Sequence, residues 1–248
     1  MSKVELFHGD CLDLIKDIPD GSVDCIITDP PYMSTMQHNG AMTDFSDTAI
    51  LKPFFSELFA QFKRILSGRG SVYFFCDWRA FCFYFPIMNQ HLPVKNTLVW
   101  DKITGPGTFY GFSHEFVIFS TQHSSLKIGA KNVIKLPGFA SGAKKTNGEK
   151  IHPTQKPVEL IELFMSHATK PGDTVLDCFM GSGTHGVACV RNNRNFIGME
   201  LQEKYFEIAK NRIEDEIKKA ENHAEWEPFW NLSTGETNVG GINFAKNL

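Results

Sequence analysis

The chain predicts an open, mostly parallel α/β sheet with helices on both faces. Three observations carry that reading. Short apolar or β-branched runs recur seven times: VELF (4–7), DCIIT (24–28), SVYFF (71–75), TLVW (97–100), EFVIFS (115–120), TVLDC (174–178) and FIGM (196–199). Amphipathic helical patterns lie between several of them, the alternation expected of a sheet buried on both sides. With 248 residues, the chain is long enough for one large domain with a substantial core.

The elements follow in order. VELF opens the chain, and DCIIT runs straight into an acid and two prolines. PFFSELFAQFKRIL (53–66) places Phe55, Leu58, Phe59, Phe62 and Leu66 on one helical face, behind a proline near its start. SVYFF, TLVW and EFVIFS come next. Segment 121–152 then breaks the rhythm, being rich in Gly, Ser and Lys and weakly periodic, and its length marks it as either functional or mobile. PVELIELFMSHA (157–168) returns to helical spacing. TVLDC, a glycine loop, a helix and FIGM follow. In QEKYFEIAKNRIEDEIKKA (202–220), Tyr205, Ile208, Ala209, Arg212 and Ile213 share a face. These limits predict a domain over 1–220 and a polar tail over 221–248.

Composition narrows the classes. No run of about 18 apolar residues suggests a membrane span, and the N-terminus MSKVELFHGD lacks the apolar core of a signal peptide. The six cysteines (11, 25, 76, 82, 178 and 189) form no C-x-x-C pair, which argues against structural zinc and a disulfide framework. A cytoplasmic protein with reduced thiols is expected. Net charge is only −3, but between His123 and Lys156 seven lysines face the single Glu149. Such a run is either a solvated loop or a surface for an anionic partner.

Two stretches carry chemistry. IITDPPYMS (26–34) ends a buried strand on Asp29, and Pro30 and Pro31 then stiffen the turn and remove two backbone donors before Tyr32. TVLDCFMGSGTHGVACVRNNRNFIGMEL (174–201) is strand, glycine loop, helix and strand. Gly181, Gly183 and Gly186 fit G-x-G-x-x-G, and Glu200 lies 19 residues after the first glycine, near the spacing of a dinucleotide fingerprint. An NAD-dependent oxidoreductase is therefore one reading. Asp177, just before the loop, points elsewhere: a carboxylate there repels a pyrophosphate and suits a ligand carrying an ammonium group, such as S-adenosylmethionine. Glu200 would grip that ligand's ribose hydroxyls.

TDPPY (28–32), HPTQKP (152–157) and DCFMGSGT (177–184), in that order, resemble the β-class DNA amino-methyltransferases. The likeness spans roughly residues 3–215. It implies a Rossmann-like, seven-stranded sheet with circularly permuted motif order, the cofactor S-adenosylmethionine (leaving as S-adenosylhomocysteine) and no metal. By the same resemblance Gly9 and Asp10, with Cys11 next to them, contact the cofactor's adenine, Glu200 its ribose, and Thr154, Lys156 and Pro157 its methionine end, with Leu201 also in the cofactor site. Asp29, Asp177, Phe179, Gly181, Ser182, Gly183 and Thr184 complete the cofactor site. Cys178 stands where relatives commonly have proline.

The resemblance also gives the opening acid a task. An exocyclic amine on a base is a poor nucleophile, because its lone pair is delocalised into the ring. Asp29 accepting one N–H, and the Pro30 carbonyl the other, would turn that lone pair toward the methyl. Asp29, Pro30, Pro31 and Tyr32 form the expected catalytic set. The base must be flipped out and stacked, with Tyr32 as the platform and Phe45 and Phe109-Tyr110 as further candidates. Lys127, Lys131, Lys135, Lys144, Lys145 and Lys150 become candidate DNA contacts, and 121–152 the target-recognition insertion. Adenine N6 in DNA is the favoured acceptor. Cytosine N4, RNA and a non-catalytic DNA-binding role stay open, as does a homodimer.

Overall fold

The computed structural model describes residues 2–31, 35–38, 41–44, 48–105, 107, 109–138, 145–146, 149–150, 155–222, 238–239 and 242–243. Its centre is an eight-stranded sheet. In chain order the strands are β1 (Val4–His8), β2 (Val23–Thr28), β3 (Leu66–Cys76), β4 (Val94–Asp101), β5 (His114–Thr121), β6 (Val133–Lys135), β7 (Thr174–Asp177) and β8 (Asn195–Glu200). Across the sheet they run β1-β8-β7-β2-β3-β5-β4-β6. β5 pairs antiparallel with both its neighbours, and every other pairing is parallel. All seven expected strands are present. The eighth, β6, lies inside the segment whose weak periodicity hid it; at three residues it is too short to show an alternation.

Period-two alternation divides the strand side chains between two cores. Ile26, Val72, Phe74, Leu176 and Met199 face one side, against α1 (Cys11–Leu14), α2 (Thr48–Ile65) and α3 (Trp78–His91). Cys25, Ile27, Tyr73, Phe75 and Val175 face the other, against α4 (Val158–Ala168), α5 (Thr184–Arg191) and α6 (Glu203–Asn222). α2 begins earlier than its apolar pattern, so Pro53 lies inside it. Leu66, expected on its last turn, instead opens β3 and is still buried.

The periodicity missed α3. Its core stripe of Ala80, Tyr84, Ile87 and Met88 has helical spacing, but Trp78, Phe85 and Pro86 blur it. Asp77 starts the helix as N-cap, accepting from the backbone N–H groups of Arg79 and Ala80 at 3.1 and 2.8 Å.

Candidate active site

Because β1, β8, β7, β2 and β3 are consecutive and parallel, the residues after them line up along one edge. That edge therefore gathers Gly9-Asp10, Glu200, Asp177, Asp29 and Asp77. Open α/β sheets bind ligands at this carboxyl edge.

The β2 and β7 ends are tied together. The Thr28 hydroxyl donates to Asp177 Oδ1 at 2.7 Å and accepts from the Cys178 N–H at 3.2 Å. The opening acid and the glycine loop thus begin on adjacent, cross-linked strand ends. Asp177 is fully buried: Oδ1 also accepts from Phe179 N–H at 3.0 Å, and Oδ2 meets His185 Nδ1 in a short contact. Both of its oxygens are thus held by the protein framework.

The loop supplies the cradle. Gly183 caps α5 at φ 81°, and a Cβ on it would lie 2.9 Å from Cα and Cβ of Ala209 on α6. Gly186 permits equally close helix packing, since its Cβ would sit 2.3 Å from Ile213 Cδ1. Ser182 and Thr184 are buried, and the Thr184 hydroxyl has no partner among the described residues. Glu200 Oε2 accepts from Gly181 N–H and Oε1 from Gln202 N–H, each at 2.8 Å. Burial raises its pKa above the ordinary carboxylate value. Gly9 N–H binds the Glu200 carbonyl at 3.0 Å, which brings Asp10, the N-cap of α1, to the same corner. Phe179 packs half-buried beside the loop, and Leu201 is exposed.

At the catalytic end an ion-pair chain appears. Lys156 Nζ lies 2.6 Å from Asp29 Oδ2 and 3.0 Å from Glu115 Oε2, and Lys102 Nζ lies 3.2 Å from Glu115 Oε1. Lys156 is only 4% exposed and sits 5.2 Å from the Phe75 ring centre. Burial alone would lower the pKa of this ammonium; the two carboxylates outweigh it and hold it above the ordinary lysine value. Lys156, expected at the methionine end of a cofactor, places its charge between two acids. The Pro-Pro turn is pinned from α3, where Tyr84 OH donates to the Pro31 carbonyl at 2.9 Å. Pro30 is buried and Pro31 exposed. Tyr32, Phe45 and Thr154 lie outside the described residues.

A DNA methylase family model matches residues 23–211, from β2 through the glycine corner into α6. The chain belongs to the DNA methylase family. The methylase is 28% identical over 241 residues to the Type II methyltransferase M2.MboI of Moraxella bovis, covering 85% of this chain and 87% of that one. It is 28% identical over 235 residues to M.HpaI of Haemophilus parainfluenzae, covering 86% and 74%. Among solved structures, the M1.HpyAVI–SAM complex aligns with TM-score 0.64 and 29% identity, over 85% of this chain and 98% of that one. The cytosine-N4-specific PvuII DNA methyltransferase shares the fold, with TM-score 0.68 at 17% identity over 90% and 94%. Family membership sets aside the oxidoreductase reading.

Three further features bear on the methylase. Burial pushes the Cys11 thiol up to about 12 and raises Cys178 well above its ordinary value, so neither is a thiolate nucleophile at neutral pH. The candidate lysines fall on different elements. Lys135 pairs in register with Asp101 at the catalytic edge, whereas exposed Lys127 and Lys131 belong to the loop entering β6 at its other end. Lys145 and Lys150 are register partners in a two-stranded hairpin, and Lys144 lies outside the described residues. Sequence reasoning missed Thr28, Lys102, Tyr84 and His185. It also missed Glu115, for which the one signal was an acid heading the otherwise apolar run EFVIFS.

Proposed function

We infer that this chain transfers a methyl group from S-adenosylmethionine to the N6 amine of an adenine flipped out of DNA. The observation that carries it is Asp29, held beside the glycine corner by the Thr28–Asp177 bond and backed by buried Lys156. S-adenosylmethionine supplies an electrophilic methyl on a positively charged sulfur. The buried Thr184 hydroxyl, the Gly181–Glu200 contact and the cradle at Gly183 suit its polar groups.

Asp29 accepts one amine N–H and the Pro30 carbonyl the second, while Tyr84 holds the following carbonyl. This pulls nitrogen toward tetrahedral geometry and aims its lone pair. After transfer the amine carries an extra proton, and Asp29 is the acceptor beside it. Alignment of nitrogen, methyl and sulfur supplies most of the acceleration. An acid at position 29 favours adenine over cytosine, and the 29% identical M1.HpyAVI–SAM complex supports the cofactor. Segment 121–152 serves target recognition within a catalytic domain of 1–220, and two such small segments in a homodimer would read a longer site. Among the described residues no helix is long and apolar enough to cross a membrane, and we place the enzyme with its DNA in the cytoplasm.

The test is incubation with labelled S-adenosylmethionine and unmethylated genomic DNA, followed by nucleoside analysis and mapping. N6-methyladenine at a defined sequence is the expected result. N4-methylcytosine would overturn the base assignment, and label in RNA alone would overturn the substrate.

A further inference from the structure

The loop joining β4 to β5 leaves the sheet at the catalytic edge and carries the two most exposed large apolar side chains among the described residues, Phe109 (95%) and Tyr110 (90%). Ile103 and Phe112 beside them are more than half exposed. The loop is built rather than slack. At its base Lys102 N–H binds the Ser113 carbonyl at 2.7 Å, and Ser113 N–H binds Gly111 at 2.8 Å. Ile103 takes φ 70°, a strained value for a β-branched residue, with its N–H on Asp101 Oδ1 at 2.8 Å. Gly105 and Gly107 press against the opposite arm: a Cβ on them would lie 2.2 Å from the Phe112 carbonyl oxygen and 2.0 Å from that of Tyr110. Only glycine allows the two arms to close this tightly, and the aromatic pair is thrust outward at the tip. From the base, Lys102 leads through Glu115 and Lys156 to Asp29.

We propose that this tip is a wedge that enters the DNA base stack and fills the gap left by the flipped target base. It rests on reading the chain as a methylase of a base in duplex DNA. Sequence reasoning offered Phe109 and Tyr110 as platforms for the flipped base itself, and their exposure argues against that. A ring that is 95% exposed has almost no protein around it, so it is not the wall of a pocket beside a half-buried acid. An aromatic ring is flat enough to replace a missing base between its neighbours, and apolar wedges of this type hold a duplex open. Filling the gap lowers the cost of extruding the base, which is least for a mismatched one.

The experiment compares the parent enzyme with Phe109→Ala, Tyr110→Ala and the double variant. The substrates are a duplex carrying the mapped recognition sequence and the same duplex with a mismatch opposite the target base. Removing a stacked ring should lower kcat/KM on the matched duplex roughly 10- to 100-fold. The loss on the mismatched duplex should be only a few-fold, with melting temperature and S-adenosylhomocysteine binding unchanged. With 2-aminopurine at the target position, saturating parent enzyme should raise fluorescence, and the double variant should not. Equal losses on both duplexes, no loss on either, or an undiminished fluorescence rise would each overturn the wedge. A parent enzyme that methylates no DNA would instead overturn the reading beneath it.

Discussion

Replacing Lys156 by Met tests whether the catalytic acid depends on its buried cation. The substitution keeps an unbranched stem of similar length and deletes the charge between Asp29 Oδ2 (2.6 Å) and Glu115 Oε2 (3.0 Å). Breaking a buried pair from one side costs about 3–5 kcal/mol, because the remaining charge is left uncompensated. The carboxylates are 17% and 15% exposed, so some water reaches them and the lower end, about 3 kcal/mol, applies. For a domain of this size that is a fall of about 6–12 °C in Tm. The pKa of Lys156 is raised in the folded state, so its contribution is complete at neutral pH. It would fade only as pH climbs through that raised value, above the ordinary lysine figure of about 10.4. On the acid side the deficit should shrink as the carboxylates protonate. Losing a neighbouring cation makes a carboxylate harder to ionise, so the acid limb of kcat/KM should move to higher pH. Glu115→Gln in the same chain should recover part of the lost Tm, and the resulting double-mutant cycle should show coupling beyond additivity. Differential scanning calorimetry and a pH–rate series make the measurement. An unchanged acid limb with strictly additive Tm shifts would refute the reasoning.

Gly183→Ala forces a side chain into left-handed backbone and against Ala209, and should cost about 1–3 kcal/mol of stability. It should also weaken S-adenosylhomocysteine binding, read by calorimetry. Thr28→Val removes a hydroxyl donor from buried Asp177 and an acceptor from Cys178 N–H, a loss of about 1–3 kcal/mol measurable by urea unfolding. Glu200 gives stability a pH dependence in the absence of ligand. Burial raises this acid's folded pKa, so the folded state binds the extra proton and stability falls as pH rises through that range. Glu200→Gln should abolish that fall between about pH 4 and neutral pH, while its amide nitrogen, unable to accept from Gly181 or Gln202 N–H, should cost about 1–3 kcal/mol throughout and weaken S-adenosylmethionine binding.

What the sequence made legible follows from the range of each interaction. The strands announced themselves because each is a short apolar run whose burial does not depend on its neighbours in the chain. The glycine corner was equally visible, since Gly181, Gly183 and Glu200 are close in sequence and their spacing is a local property. The same locality explains the errors. Leu66 continues the helical spacing of α2 yet begins β3, since the apolar pattern says that it is buried and not where the backbone turns. Lys156 illustrates the deeper limit. A lysine in a polar segment reads as a solvent-facing or ligand-facing charge, and nothing within several residues marks it as buried. Its partners stand 127 and 41 positions away, just past β2 and on β5, and only the placing of β5 beyond β3 brings them together. Tyr84 reaches Pro31 across 53 residues from a helix whose aromatic surroundings concealed its periodicity. The acid and the turn proposed to address the base were thus readable in four consecutive letters. The groups that hold them were not, because holding is done by side chains from distant strands whose chemistry becomes specific only when the sheet has closed around them.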